Sequence, residues 1–369
     1  MINKKLKVGN VPNLRFPEFT EEWQSSRLAD TCEINPKNEG LPSSFVYIDL
    51  ESVENGRLLK EDFISKDGAP SRAQRVLSKN DVLFQMVRPY QKNNLFFDKE
   101  GKYVASTGYA QIRTKQNSRF IFQYLHNQKF VDNVIERCTG TSYPAINSTD
   151  LGNIRIGYPS LEEQTKIASF LSLIDERIQT QNKIIEQLET LIKGLCQKLI
   201  LNQVPNKKIN NCVSCYSSSL TESDVIDKNG IYPVYGATGV ITLTENSQIN
   251  EDAILIIKDG SGVGKVQYAS DKFSVIGTLN YLTVKPDVNL KYIFFCLKFF
   301  NFEKYKVGSG IPHIYFKDYG ESLIFCPSLD EQDNIEKLLS SIDEKINIEK
   351  TLLKKYEIQK KNLLQKLFI

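Results

Sequence analysis

The chain has 369 residues, of which 41% are hydrophobic and 25% charged, with a formal net charge of +3. That length predicts two domains rather than one, and the mild charge excludes a polybasic nucleic-acid coat. The absence of a long apolar run excludes a membrane-spanning helix. The opening M-I-N-K-K-L-K-V-G-N has no apolar core, so the seven scattered cysteines read as reduced thiols in a cytoplasmic protein.

In chain order, residues 1–158 form a first mixed α/β globule. Short apolar runs such as F-V-Y-I-D-L (45–50) and V-L-F-Q-M-V (82–87) predict strands. The aromatic stretch 120–130 predicts a short helix, and Asn, Gly and Ser turns separate these elements. Residues 159–204 then read as one long helix. Ser160 follows a proline and precedes Glu163 by three, the spacing at which a hydroxyl and a carboxylate close a capping box. Apolar residues recur at Leu171, Ile174, Ile178, Ile185, Leu188, Ile192, Leu195 and Leu199, with Gln181 the one polar seam position. Residues 205–327 form a second mixed globule, with strand-like runs at 253–257 and 281–284 and an aromatic helical stretch at 292–300. Residues 328–369 form a second long helix with Leu339, Ile342, Ile346, Leu353, Tyr356, Leu363 and Leu367 at the same alternating steps, interrupted by Glu349 and Lys360. Acids crowd its start and lysines its end, as the macrodipole favours.

The second half repeats the first. G-T-S-Y-P-A-I-N-S-T-D (140–150) aligns with G-S-G-I-P-H-I-Y-F-K-D (308–318) at an offset of 168. The same register places P-S-L-E-E-Q (159–164) on P-S-L-D-E-Q (327–332), I-D-E (174–176) on I-D-E (342–344) and Q-K-L (197–199) on Q-K-L (365–367). Sustained three–four spacing predicts that the helices pack on each other as an antiparallel coiled coil with the globules related by a pseudo-twofold axis. The alternative is an amphipathic helix lying on its own globule. A helix of about 60 Å exceeds what a globule of this size covers. Two globules held by paired helices make a ruler, and duplex DNA is a target with a fixed spacing rule.

The residues resemble a known family at this point. V-P-N-L-R-F-P-E-F-T-E-E-W (11–23), the two P-S-L-x-E-Q helix starts, the G-x-x-x-P-x-I-x-x-x-D stretch before each, D-V-L-F-Q-M-V-R-P-Y (81–90), Y-P-V-Y-G-A-T-G (232–239) and D-A-I-L-I-I-K-D-G-S-G-V-G-K (252–265) resemble specificity subunits of type I restriction–modification systems. The likeness covers essentially the whole chain. It implies two target-recognition domains, each reading half of an interrupted double-stranded DNA sequence. It further implies helices that hold methyltransferase subunits, and motor–endonuclease subunits that add to them. Catalysis and its cofactors, S-adenosylmethionine, ATP and magnesium, then belong to the partners, and this chain binds none. One departure is that R-F-P-E-F has no evident second copy; only a trace remains around Val204, Pro205 and Asn206, which blurs the start of the second globule.

No self-sufficient active site is legible. D-G-S-G-V-G-K-V (259–266) lacks the first glycine and the Ser or Thr of a P-loop and reads as a glycine hairpin. Cys212 and Cys215 form one C-x-x-C without the second half of a zinc site. The only histidines are far apart: His126 reads as packed, and His313 lies in the repeated loop where its counterpart is Ala145. Glu100-Gly101-Lys102 reads as a turn.

The first globule carries a balance of +4 and the second 0, so any grip on DNA must be local and salt-sensitive. No arginine follows Arg177; arginine forks on guanine belong to the first globule, and Lys, Asn, Gln and Ser serve the second. The candidates are Arg88, Tyr90, Gln91, Lys92 and Asn93, with Arg113, Ser142 and Tyr143, in the first; and Lys258, Ser261, Lys265, His313 and Lys317 in the second. Each also reads as a solvated loop residue, and the equivalence of Tyr143 with Ile311 suits a packing site. The competing class is a coiled-coil scaffold with paired protein- or glycan-binding domains, favoured by the uncharged second globule.

Overall fold

The computed structural model describes residues 10–225, 230–308 and 310–369. The chain forms two compact units, Met1–Gln181 with Leu352–Ile369, and Asn182–Thr351. Each unit therefore holds one globule together with part of each long helix, so the units cut across the boundaries at 159, 205 and 328 that the sequence pattern suggests.

In the first unit, two four-stranded sheets carry the globule. One is antiparallel throughout, in the order Cys32–Ile34, Tyr109–Thr114, Val82–Gln85, Leu95–Phe96. The other runs Phe63–Ser65, Ser44–Ile48, Tyr103–Ser106, Ala73–Val76, with a parallel pair at its centre. The second unit repeats the antiparallel sheet as Val213–Ser217, Leu279–Val284, Ala253–Ile257, Val266–Ala269. Its other sheet is smaller, Gly239–Thr244, Tyr232–Gly236, Ser274–Val275. Val82–Gln85 and Ala253–Ile257 are buried at every position, which is why both read as largely apolar runs rather than alternating strands.

The first long helix spans Leu161–Cys196 and ends in a π-helical stretch, Gln197–Leu201; the second spans Leu329–Leu367. In the first unit, Ile167, Ala168 and Leu171 of one helix share a core with Leu364 and Leu367 of the other and with Phe368 just beyond it, and Asp175 pairs with Lys360 at 2.5 Å. In the second, Ile192, Cys196 and Ile200 share a core with Ile335, Leu339 and Ile346, and Glu189 pairs with Lys350 at 2.6 Å. Within each unit the helices thus run antiparallel. The helix-on-globule alternative describes part of each helix, because both of these cores are also the cores of the globules. For that reason the seam drifts at the end of the second helix. Leu364 is buried and Leu363 only half-buried, as the last turn dives into the aromatic core around Trp23, Phe120 and Tyr124. Two of the three polar seam residues, Gln181 and Glu349, are buried and are equivalent in the repeat.

The repeated Gln of P-S-L-x-E-Q has a structural task. Gln164 Nε2 donates to Pro159 O at 2.9 Å while its Oε1 accepts from Asn117 N, and Asn117 caps the helix Ser118–Tyr124. Gln332 Nε2 likewise donates to Pro327 O at 2.8 Å, and its Oε1 accepts from Asn289 N, the cap of Leu290–Lys298. One buried amide thereby ties each long helix to the short helix of its globule.

The expected capping box forms only in part. Ser160 Oγ accepts from Glu163 N at 3.4 Å, but the Glu163 carboxylate turns away from the cap. It accepts from Arg15 Nε and Nη2 at 2.8 and 2.7 Å and from Trp23 Nε1 at 3.3 Å. Glu163 is fully buried, and a buried carboxylate requires such charge-assisted partners more than a second capping bond.

Candidate nucleic-acid interface

Both units build the same turn. In the first, Thr139 and Ala145 exchange backbone hydrogen bonds at 2.9 and 3.0 Å, Arg88 N donates to Pro144 O at 2.7 Å and Ile146 N donates to Met86 O. In the second, Val307 and His313 exchange bonds at 2.9 and 2.8 Å, Gly260 N donates to Pro312 O at 3.0 Å and Ile314 N donates to Lys258 O. Gly140 and Gly308 sit at φ +89° and +91°, where an added Cβ would meet the carbonyl oxygens of Tyr143 and Ile311 at 3.2 and 2.7 Å. The tight bend therefore requires glycine in both copies. The repeated G-x-x-x-P stretch is this turn, clamped against the end of the central strand of its sheet.

In the first unit the turn presents Arg88, Ser142 and Tyr143. The Arg88 guanidinium carbon lies 4.1 Å from the Tyr143 ring centroid, a cation–π stack, while its Nε is buried without a hydrogen-bond partner among the described residues. Arg88 and Lys92 both adopt left-handed backbone (φ 53° and 57°) on either side of the short helix Pro89–Gln91, so the chain doubles back at once after the strand. Tyr143 is 64% exposed and its counterpart Ile311 63%, so the packing role expected from their equivalence does not hold. Each stands at the outer edge of its turn. Tyr90 is also exposed.

The other candidates of the first unit are engaged by neighbouring groups, although Gln91 remains exposed. Gln91 Oε1 accepts from Gln85 Nε2 at 2.8 Å, and Asn93 receives Asn55 N on Oδ1 while its own N donates to Gln85 Oε1. Lys92 Nζ donates to His126 O and Gln128 Oε1 at 3.2 and 2.9 Å, and its partial burial lowers its pKa. Arg113 is bidentate to Asp81 at 2.8 and 2.9 Å and reaches Ser78 Oγ as well; the hydrogen bond to Asp81 raises its pKa. Lys92 and Arg113 are thus committed to the fold. His126 is packed as expected: burial pushes its pKa down to about 4, Lys360 adding to the effect, and Nδ1 lies 2.7 Å from Phe122 O.

In the second unit, the segment between Ala253–Ile257 and Val266–Ala269 is the expected glycine hairpin, closed by Ile257 N to Lys265 O at 3.0 Å and Gly264 N to Ile257 O at 2.9 Å. It brings Lys258, Ser261 and Lys265 beside the turn that carries His313. Ser261 and Lys265 are exposed, and Lys258 Nζ lies 3.4 Å from Ser217 Oγ. His313 Nδ1 lies 2.6 Å from Asp259 Oδ1, and its ring stacks on Tyr315. Lys317 is exposed, with Nζ 5.4 Å from the Tyr315 ring centroid. Asp259 and Tyr315 were not distinguished by sequence; the pairing of D-G in the hairpin with H-I-Y in the turn is the signal that marks them. Among the described residues no three His, Cys, Asp or Glu side chains gather as a metal cluster, and no helix is long and apolar enough to cross a membrane.

A family model described as the type I restriction modification DNA specificity domain matches residues 20–190 and 214–357. The chain is 24% identical over 227 residues to the MjaVIII type I restriction enzyme specificity subunit of Methanocaldococcus jannaschii, covering 56% of this chain and 50% of that protein. It thus spans about half the length of that relative. It is 23% identical over 396 residues to a putative MjaX specificity subunit of the same organism, covering 92% of this chain and 89% of the relative. The crystal structure of a type I restriction–modification S subunit from M. genitalium matches in fold, with a TM-score of 0.69 and 18% identity over 97% of this chain and 99% of the other.

Proposed function

We propose a function from one premise: the chain belongs to the type I restriction–modification DNA specificity family. In this reading it is the non-catalytic subunit that reads double-stranded DNA. Each globule takes one half of a bipartite site, the long helices set the spacer and dock methyltransferase subunits, and motor–endonuclease subunits join the complex. S-adenosylmethionine, ATP and magnesium serve those partners.

The observation that carries the proposal is the duplicated turn. Two copies of one rigid backbone, one in each unit, present different side chains at an exposed edge, Arg88 and Tyr143 against Lys265, Ile311 and His313. A paired scaffold with divergent chemistry suits a target with two unlike halves. The uncharged second globule suits a protein- or glycan-binding scaffold, but membership of the DNA specificity family outweighs it.

The test is co-expression with the methyltransferase subunit followed by sequencing of modified bases. A split motif is expected. Exchanging residues 205–327 for those of a relative is expected to change one half-site and leave the other. Inserting seven residues into both helices is expected to lengthen the spacer alone. Absence of any modified motif, or alteration of both half-sites by the single exchange, overturns the reading.

A further inference from the structure

At one position of the duplicated turn the backbones agree and the side chains do not. Ala145 and His313 have the same reciprocal backbone bonds, to Thr139 and to Val307, and follow equivalent prolines, Pro144 and Pro312. The fold therefore does not explain the imidazole, since a methyl group serves the same bend in the first unit. The strand position that faces the turn changes with it, from Val87 opposite Ala145 to Asp259 opposite His313.

The second pair has defined polarity. An ionised carboxylate only accepts hydrogen bonds, and Asp259 Oδ1 lies 2.6 Å from His313 Nδ1. The hydrogen between them therefore sits on Nδ1, and in the neutral ring the remaining nitrogen, Nε2, carries a lone pair. Nε2 has no protein partner among the described residues, and the side chain is 38% exposed. The Tyr315 ring lies near-parallel to the imidazole, with centroids 6.5 Å apart and planes within 16°. A carboxylate beside a phosphate backbone is unfavourable in itself, so Asp259 suits orienting a reader better than gripping the strand. Lys258, Lys265 and Lys317, from the strand end, the hairpin and the following helix, supply the positive charge nearby.

We propose that His313 reads the second half-site through Nε2 as a hydrogen-bond acceptor, selecting a base with an exocyclic amine, adenine N6 or cytosine N4, at one position. Asp259 is its positioning residue. This rests on the DNA-reading function above. It sets the second turn against the first, where Arg88 has donors only and matches the guanine O6/N7 edge. The two half-sites are read with opposite hydrogen-bond polarity.

The full chain, co-expressed with its methyltransferase subunit, tests this by sequencing of modified bases in His313→Ala, His313→Asn and His313→Arg. In His313→Ala, preference at one position of one half-site is expected to fall by about tenfold or more, with the other half-site and the spacer unchanged. His313→Asn retains an acceptor and is expected to retain the amine-bearing base; whether that base is adenine or cytosine is read directly from the wild-type motif. His313→Arg has donors only and is expected to move the position toward guanine. An unchanged motif in His313→Ala overturns the inference. So does loss of all modification in His313→Ala that His313→Asn fails to restore, since the side chain would then serve packing. Absence of a motif from wild type and variants alike is instead the failure of the DNA-reading function.

Discussion

The two units share a sheet, a turn and a helix start, yet differ in what sits on that helix start. In the first unit the segment 10–23 lies across it. Arg15 clamps the buried Glu163, Lys166 pairs with Glu18 and faces the Phe16 ring, and Leu14 N donates to Lys366 O at the end of the other helix. Trp23 completes the cover, edge-on to Phe120 and Phe368. In the second unit the residue equivalent to Glu163 is Glu331, which is exposed, and the residue equivalent to Phe170 is Leu338, 45% exposed. The missing second copy of R-F-P-E-F accounts for this. The same carboxylate is buried where an arginine is supplied and stays in solvent where none is.

The largest expected effect comes from Trp23→Ala. Removing a fully packed indole costs about 3–5 kcal/mol, and the loss should be confined to the first unit. Hydrogen exchange should show amides of Ser118–Tyr124 and of the last turns of Leu329–Leu367 losing protection while Ala253–Ile257 keeps its own. Equal loss in both units would break the comparison.

Arg15→Met follows. It leaves Glu163 buried with Trp23 Nε1 as its one remaining donor from that segment, at a cost of about 3 kcal/mol. The double variant Arg15→Met with Glu163→Met should recover most of it, because the penalty lies in the orphaned charge rather than in the missing pair. Denaturation midpoints of the four proteins in the cycle measure the difference.

Acid should act on the first unit through His126. Its folded pKa, about 4, lies below the ordinary value of 6.5, so the unfolded state takes up the proton first. Stability is therefore full above about pH 6.5 and is lost as pH falls toward 4. The ring is only half-buried by exposed area, so the loss is about 2 kcal/mol rather than the full difference. His126→Gln should flatten the pH dependence of unfolding in that window, and a pH profile identical to wild type would remove His126 from the account.

The architecture was legible because it is periodic. An offset of 168 carried the turn and both long helices, and the three–four spacing located most of the seam, such as Leu171, Ile192 and Leu339. Illegible were contacts between residues far apart in sequence. Arg15 and Glu163 are separated by 148 positions, and nothing local says that Glu163 prefers a distant guanidinium to its own cap. Arg113 and Lys92 looked available for DNA because each is a cation near a strand end. The Asp81 carboxylate and the His126 carbonyl that engage them are brought in by sheet pairing and helix packing. The repeated turn is legible as a motif, but its clamp by the strand end at Arg88 and Gly260 depends on backbone bonds that no residue pattern encodes.

The smallest effect is the sharpest test of the comparison. Glu331→Gln removes a carboxylate from the first turn of the second long helix, where it is exposed and meets the positive end of the macrodipole. Loss of that exposed interaction is expected to destabilise by about 0.5 kcal/mol, fading as salt rises. Glu163→Gln, the same change at the equivalent position, should cost several times more and respond little to salt, because it weakens a bidentate pair shielded from solvent. Equal, salt-sensitive losses at the two positions would mean that Glu163 is solvated in solution and that the segment 10–23 does not clamp the first helix start.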